Sequence, residues 1–119
     1  MDELGFGSSR IAVNAATAQR FVQALRDAGQ TAVDGPILTV STATGTAATA
    51  ERLAKRVPGV AAEAMEGYGV AVAANRFELP MMEIRTISNA VGPRDRAAWR
   101  IKEALQALEA AFSTLTEVI

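Results

Sequence analysis

Glu63-Ala64-Met65-Glu66-Gly67-Tyr68-Gly69-Val70-Ala71 is the stretch on which the fold turns. On its N-terminal side, residues 60–65 have the length and apolar character of a short strand. On its C-terminal side, small residues run from Gly67 to about Arg76 as a helix able to pack closely on a sheet. An acidic side chain at that junction, Glu66, is expensive to bury without partners. It also falls beyond the carboxyl end of a strand, where α/β sheets bind ligands. A carboxylate there can accept two hydrogen bonds from vicinal sugar hydroxyls, which suits ribose. The ordinary structural reading has the stronger claim at this point, in which Glu66 caps the following helix or pairs with an arginine.

The same alternation of strand and helix continues on both sides. Upstream, Gly35-Pro36 precedes Ile37-Leu38-Thr39-Val40-Ser41-Thr42, which reads as a buried strand. Ala43-Thr44-Gly45-Thr46 is a strand-to-helix turn, and the helix that follows, from about Ala47 to Arg56, ends before Pro58. Earlier still, Asn14 is a good N-cap for a helix in which Phe21, Val22, Leu25 and Ala28 recur at helical spacing until Gly29 stops it. Residues 1–9 read as an irregular lead-in, and residues 30–34 are the one linker-like stretch. Downstream, Pro80 precedes a third predicted strand over residues 81–88, residues 89–92 form a loop, and residues 93–96 open the last helix. In that helix Trp99, Ile101, Leu105, Leu108, Phe112 and Leu115 make one apolar stripe, while Lys102, Glu103, Gln106 and Glu109 face water.

These elements predict an α/β fold, a mostly parallel sheet flanked by helices, in a single domain over residues 1–119. Only three strands are convincing. A parallel sheet needs both faces and its edges covered, so the element count points to a missing piece and to self-association through open sheet edges.

Composition narrows the chemistry. Half of the 119 residues are hydrophobic, and the formal net charge of -1 leaves no basic surplus for nucleic acid. There is neither cysteine nor histidine, which excludes disulfides, thiolate or imidazole metal sites, a cysteine nucleophile and a histidine base. No metal and no cofactor is expected. Met1-Asp2-Glu3-Leu4-Gly5 has neither the basic patch nor the apolar core of a signal peptide, and the most apolar stretch, residues 60–74, is broken by Glu63 and Glu66. The expectation is a cytoplasmic protein with no membrane span.

Three further stretches carry candidate chemistry. In Glu83-Ile84-Arg85-Thr86-Ile87-Ser88-Asn89, strand alternation puts Glu83, Arg85 and Ile87 on one face and Ile84, Thr86 and Ser88 on the other. Arg85 in such a strand needs an anion, a water or a carboxylate such as Glu83. Asn89 ends the strand with an amide suited to a purine edge, although a lone asparagine there is also an ordinary turn former. Ser41-Thr42-Ala43-Thr44-Gly45-Thr46 places hydroxyls and backbone N–H groups near a ligand, or simply makes a turn; it is no P-loop. Arg94-Asp95-Arg96 beside Trp99 reads as a clamp or as a helix N-terminus with Asp95 favourable to its dipole.

Together these stretches resemble the nucleoside phosphorylase/nucleosidase superfamily. Ala64-Met65-Glu66-Gly67 is similar to its methionine–glutamate ribose motif, and Glu83 to Asn89 to its I-R-x-I-S-(D/N) strand. The spacing from Glu66 to Asn89 fits the hydrolase branch. Within it, T-V-S-T-A-T-G-T from Thr39, E-A-M-E-G-Y-G-V-A from Glu63 and S-N-A-V-G-P-R-D-R-A-A-W-R-I from Ser88 resemble enzymes that release hypoxanthine from a nucleoside. Asp2-Glu3-Leu4-Gly5-Phe6-Gly7 looks like an internal segment of such an enzyme, so the resemblance covers a C-terminal half.

The resemblance implies roles. Met65 packs against ribose and Glu66 binds its hydroxyls. Arg85 helps to hold the attacking water. Asn89 meets the purine near N7, and Ala43 and Thr44 flank the base. The catalytic pair is then Arg85 and Asn89, with Met65, Glu66, Ala43, Thr44 and Asn89 binding substrate. Adenine-specific relatives carry an aspartate at the position of Asn89. An asparagine cannot supply a titrating proton, but it suits a 6-oxopurine, which favours a hypoxanthine nucleoside over methylthioadenosine or adenosylhomocysteine. The implied partners are a purine nucleoside and either a further copy of the chain or an N-terminal half carrying the first sheet strands and a water-activating glutamate.

Overall fold

The computed structural model describes residues 10–93 and 95–118, and of Arg96 the backbone alone. The lead-in expected over residues 1–9 and the role expected of Arg94 fall on residues outside the described ones.

Helix α1 (Ala15–Asp27) starts where expected. The Asn14 side chain accepts from the Thr17 N–H at 2.9 Å and satisfies one of the donors a helix start leaves open. Gly29, at φ 87°, takes the left-handed turn that ends it. Strand β1 (Ile37–Thr39) follows, then α2 (Ala47–Arg56), capped by the Thr46 side chain. Strand β2 (Ala62–Ala64) leads directly into α3 (Gly67–Arg76). The last helix, α4 (Ile101–Leu115), is preceded by a short 3-10 turn over Arg96–Ala98.

β1 and β2 pair in parallel, with Ile37 opposite Ala62, Leu38 opposite Glu63 and Thr39 opposite Ala64. Bonds from Ala61 N to the Pro36 carbonyl and from Val40 N to the Ala64 carbonyl, both 2.9 Å, extend the pairing at either end. The fold is α/β. Both strands are shorter than the sequence predicts, and the third expected strand is absent: residues 81–88 join no ladder. Their polar groups are drawn to α4 instead. The Thr86 hydroxyl donates to the Ala104 carbonyl at 2.8 Å, and the Arg100 N–H donates to the Ser88 carbonyl at 2.7 Å. The expected alternation survives without the ladder. Ile84 packs on the core and Thr86 meets α4, while Glu83 and Arg85 point to the start of α3.

The main core is small. Leu25 of α1 meets Ala111 and the fully buried Leu115 of α4, with Phe21, Ala32 and Ile84 around them. The apolar stripe expected on α4 is only half covered. Leu115 is buried, but Ile101, Leu105 and Phe112 are about half exposed or more (51%, 61% and 48%). The small Ala111 takes the central contact because α1 lies close against it, which leaves the larger side chains on the open flank. The last helix also begins at Ile101 rather than within residues 93–96.

The shape reflects this thin core. The chain is a slab of 44 × 40 × 21 Å with a radius of gyration of 15.5 Å, against about 13.5 Å for a compact domain of this length. Its accessible surface is 8956 Å², where a folded monomer of this mass exposes about 6,200 Å². Among the described residues no helix is long and apolar enough to cross a membrane.

Candidate functional site

Parallel pairing puts the carboxyl ends of β1 and β2 side by side, so the segments that leave them, Val40 to Thr46 and Met65 to Gly67, share one edge of the molecule. A further bond closes this edge: the Tyr68 N–H, in the first turn of α3, donates to the Thr39 hydroxyl at 2.8 Å.

Glu66 occupies the N-cap position of α3, but its side chain makes no capping bond. It turns to Arg85, whose Nη2 lies 2.8 Å from its Oε2, and it keeps 64% of its side-chain surface exposed. Arg85 reaches a second carboxylate with Nε, 2.8 Å from Oε2 of Glu83, which is only 16% exposed. One guanidinium thus joins two acids from different segments. The Arg85 hydrogen bond, helped by its charge and by the amides of Met65 and Glu66, holds the Glu66 carboxyl below the ordinary glutamate range despite some desolvation. Arg85 is pushed up, first by the Glu83 bond and then by Glu66, against a desolvation that pulls the other way. Gly67 makes the arrangement possible: a Cβ there would overlap the Glu83 carboxylate, with its carboxyl carbon at 2.6 Å.

The other candidates fall as follows. Met65 lies at the strand end with 54% of its surface open. Ala43 is exposed, on the neighbouring segment that leaves β1. Thr44 is half-buried, and both its donors go to one acid: its N–H meets Glu63 Oε1 at 2.9 Å and its hydroxyl meets Glu63 Oε2 at 2.7 Å. Asn89 is exposed, accepts from the Ser88 hydroxyl and donates from Nδ2 to the Ala90 carbonyl at 3.0 Å. No described contact joins Asn89 to Glu66 or Arg85. A groove of about 260 Å³ between residues 84–88 and α4 takes in Arg85 and Ser88 but neither Glu66 nor Asn89.

The structure therefore brings Glu66 and Arg85 together with Glu83 and places Met65, Ala43 and Thr44 along the same edge. The pairing of Glu66 with an arginine, and of Arg85 with Glu83, are the structural alternatives open in the sequence, and both are present. Sequence reasoning missed the part played by Glu63. The available signal was an ionisable residue in the middle of an apolar strand, where a carboxylate needs fixed donors. Among the described residues no group of acidic side chains is arranged to hold a metal ion.

A model of the phosphorylase superfamily matches residues 4–119. The chain is similar to the futalosine hydrolase of Acidothermus cellulolyticus, 49% identical over 115 residues that cover 97% of this chain and 47% of that protein. It is also similar to the futalosine hydrolase of Streptomyces coelicolor, 59% identical over 85 residues, 71% of this chain and 36% of that protein. A third relative, the futalosine hydrolase of Thermus thermophilus, is 44% identical over 57 residues, 48% of this chain and 25% of its own. The chain spans about half, or less, of the length of these relatives. No solved structure matches it.

Proposed function

Since the chain belongs to the phosphorylase superfamily, we propose that it forms the ribose- and base-contacting part of a purine nucleosidase. The reaction is hydrolysis of the N-glycosidic bond of futalosine, giving hypoxanthine and dehypoxanthine futalosine, a step of menaquinone biosynthesis. The names of the three relatives support the substrate. The observation that carries the chemistry is Glu66: a carboxylate at a strand end, oriented by Arg85, which also lowers its pKa, yet largely open to a ligand.

Cleavage develops positive charge on the ribose and negative charge on the departing purine, so stabilisation must be stronger in the transition state than in the ground state. Glu66 accepts the ribose hydroxyls and Met65 packs on the sugar. Glu83 and Glu66 take two of the five N–H donors of Arg85, and the remainder orient the attacking water. Ala43 and Thr44 flank the base. Asn89 exchanges its bonds with Ser88 and Ala90 for the hypoxanthine edge, donating to an acceptor that an aspartic acid would protonate. Water supplies the new ribose hydroxyl, and its proton leaves with the base. The set requires neither metal nor cofactor.

The test is release of hypoxanthine from futalosine by the purified chain. Glu66→Gln abolishes it; full retention rejects the ribose role. One observation favours a second reading. The accessible surface is too large for a self-sufficient domain, as though the chain required a further copy or an N-terminal half. A folded chain that binds futalosine in calorimetry without cleaving it would be a nucleoside-binding or oligomerising protein. Preference for methylthioadenosine or adenosylhomocysteine would shift the assignment to the adenine-specific branch.

A further inference from the structure

We propose that Glu63 is a positioning residue for the base-flanking loop, an assignment that rests on the nucleosidase reading above. Glu63 stands at the centre of β2, opposite Leu38 in the ladder. Both of its carboxylate oxygens are used on one residue nineteen positions away, accepting from the Thr44 N–H at 2.9 Å and from the Thr44 hydroxyl at 2.7 Å. Such a two-point contact to an ionised acceptor fixes orientation as well as distance.

The position of that contact gives it a purpose. The loop between β1 and α2 is held at its first residue, where Val40 N donates to the Ala64 carbonyl, and at its last, where Thr46 caps α2. Between those anchors, Ser41, Thr42 and Ala43 are exposed. Without a third anchor this stretch would be free to move across the strand ends. The Glu63–Thr44 contact supplies one, immediately beside Ala43. It ties the loop to β2, the strand that also delivers Met65 and Glu66. The base side and the sugar side of the site are thereby referred to one strand, so a shift of β2 carries both together. A turn needing only to be closed has no use for a half-buried carboxylate in an otherwise apolar strand, since that group must be desolvated and matched by donors.

The experiment compares Glu63→Ala, Glu63→Gln and Thr44→Ser with the wild-type chain, reading Thr44 amide exchange by NMR together with KM and kcat for futalosine. In Glu63→Ala the Thr44 amide exchanges at least about tenfold faster and KM rises about tenfold, with kcat within about threefold, as expected for loss of a charge-assisted contact that orders a binding loop. Glu63→Gln keeps one acceptor and falls between, and Thr44→Ser, which keeps both bonds to Glu63, leaves exchange of the amide at position 44 at the wild-type rate. Unchanged exchange, or faster exchange with unchanged KM, overturns the proposal while leaving the nucleosidase reading intact. If Glu63→Ala does not fold, Glu63→Gln decides, with faster Thr44 amide exchange and a KM increase of about threefold expected for one lost bond and no increase overturning it. If the wild-type chain releases no hypoxanthine, calorimetry with hypoxanthine separates the two ideas. Weaker binding in Glu63→Ala sustains the positioning role after the catalytic reading has failed, and equal or absent binding ends both.

Discussion

Arg85 and Glu66, nineteen residues apart in the chain, meet at 2.8 Å while Glu66 keeps most of its surface open. The contact sets the direction of a carboxylate that would otherwise swing freely, and lowers its pKa. It also fixes a pH dependence. The Glu66 carboxyl is held below the ordinary glutamate value of 4.5, so the pairing is complete above that value and is lost as pH falls through the lowered one. Carboxyl-carbon NMR of Glu66 will show a midpoint below 4.5 in the wild-type chain, and Arg85→Met will bring it back toward the ordinary value. On the nucleosidase reading proposed above, the same substitution lowers hypoxanthine release about 100-fold, the scale expected when one preorganised donor group is removed. Arg85→Lys recovers little, because an ammonium cannot span two carboxylates as a planar fork does.

Gly67→Ala separates helix preference from site geometry. Alanine is favoured over glycine by about 1 kcal/mol in a helix interior and by less at the first residue of α3, but its Cβ displaces the Glu83 carboxylate that Arg85 holds. The carboxylate is the movable end of its side chain, so net stability in a urea melt stays within about 1 kcal/mol of wild type, the steric loss offsetting the helical gain. On the nucleosidase reading, futalosine affinity falls at the same time. In the Glu83→Ala background the clash is gone and Gly67→Ala becomes stabilising.

Stability in denaturant will depend on a few residues. Leu115 is fully buried between α4 and α1, and Leu115→Ala will lower stability by about 2–5 kcal/mol through lost burial and the cavity left behind. Phe112→Ser, on the same helix but 48% exposed, will change it by under about 1 kcal/mol. Equal losses at the two positions would mean that the open flank of α4 is covered.

That flank leads to a prediction about size. Sedimentation of the isolated chain will show self-association that grows with concentration, because its surface exceeds that of a compact monomer by more than a standard interface buries. Leu105→Glu and Ile101→Glu, placed on the exposed line of α4, will move the distribution toward monomer. A wild-type chain that stays monomeric at high concentration would remove the argument.

What the sequence revealed, and what it withheld, follows from the range of the forces involved. Helices α2 and α3 were legible nearly to the residue because their signals are local: Thr46 ahead of α2, Pro58 after it, and the small residues beyond Glu66. The third strand was not, since a ladder needs a partner and residues 81–88 find theirs in the side of α4. Periodicity correctly identified α4 as amphipathic, but it could not say that α1 would cover only Ala111 and Leu115 and leave Leu105 bare. At the site, the choice of Glu66 and Arg85 followed from residue type and position, and their ion pair was among the readings open for each. Asn89 keeps its amide on its sequence neighbours, a local preference that ordinary turn chemistry describes. The Glu63–Thr44 contact was invisible because it depends on two elements meeting across a parallel crossover, which neither segment encodes alone.

The parallel crossover also governs timing. β1 and β2 cannot zip together like a hairpin; the chain between them must first close a long loop, and α2 shortens that loop when it forms early. The edge carrying Ala43, Met65 and Glu66 therefore waits on α2, although its crossover is far shorter than the stretch that separates α1 from α4 in the core. Weakening the Thr46 cap would delay the appearance of a competent edge during refolding more than it would alter the finished one, so recovery of ligand binding should lag behind recovery of helical signal.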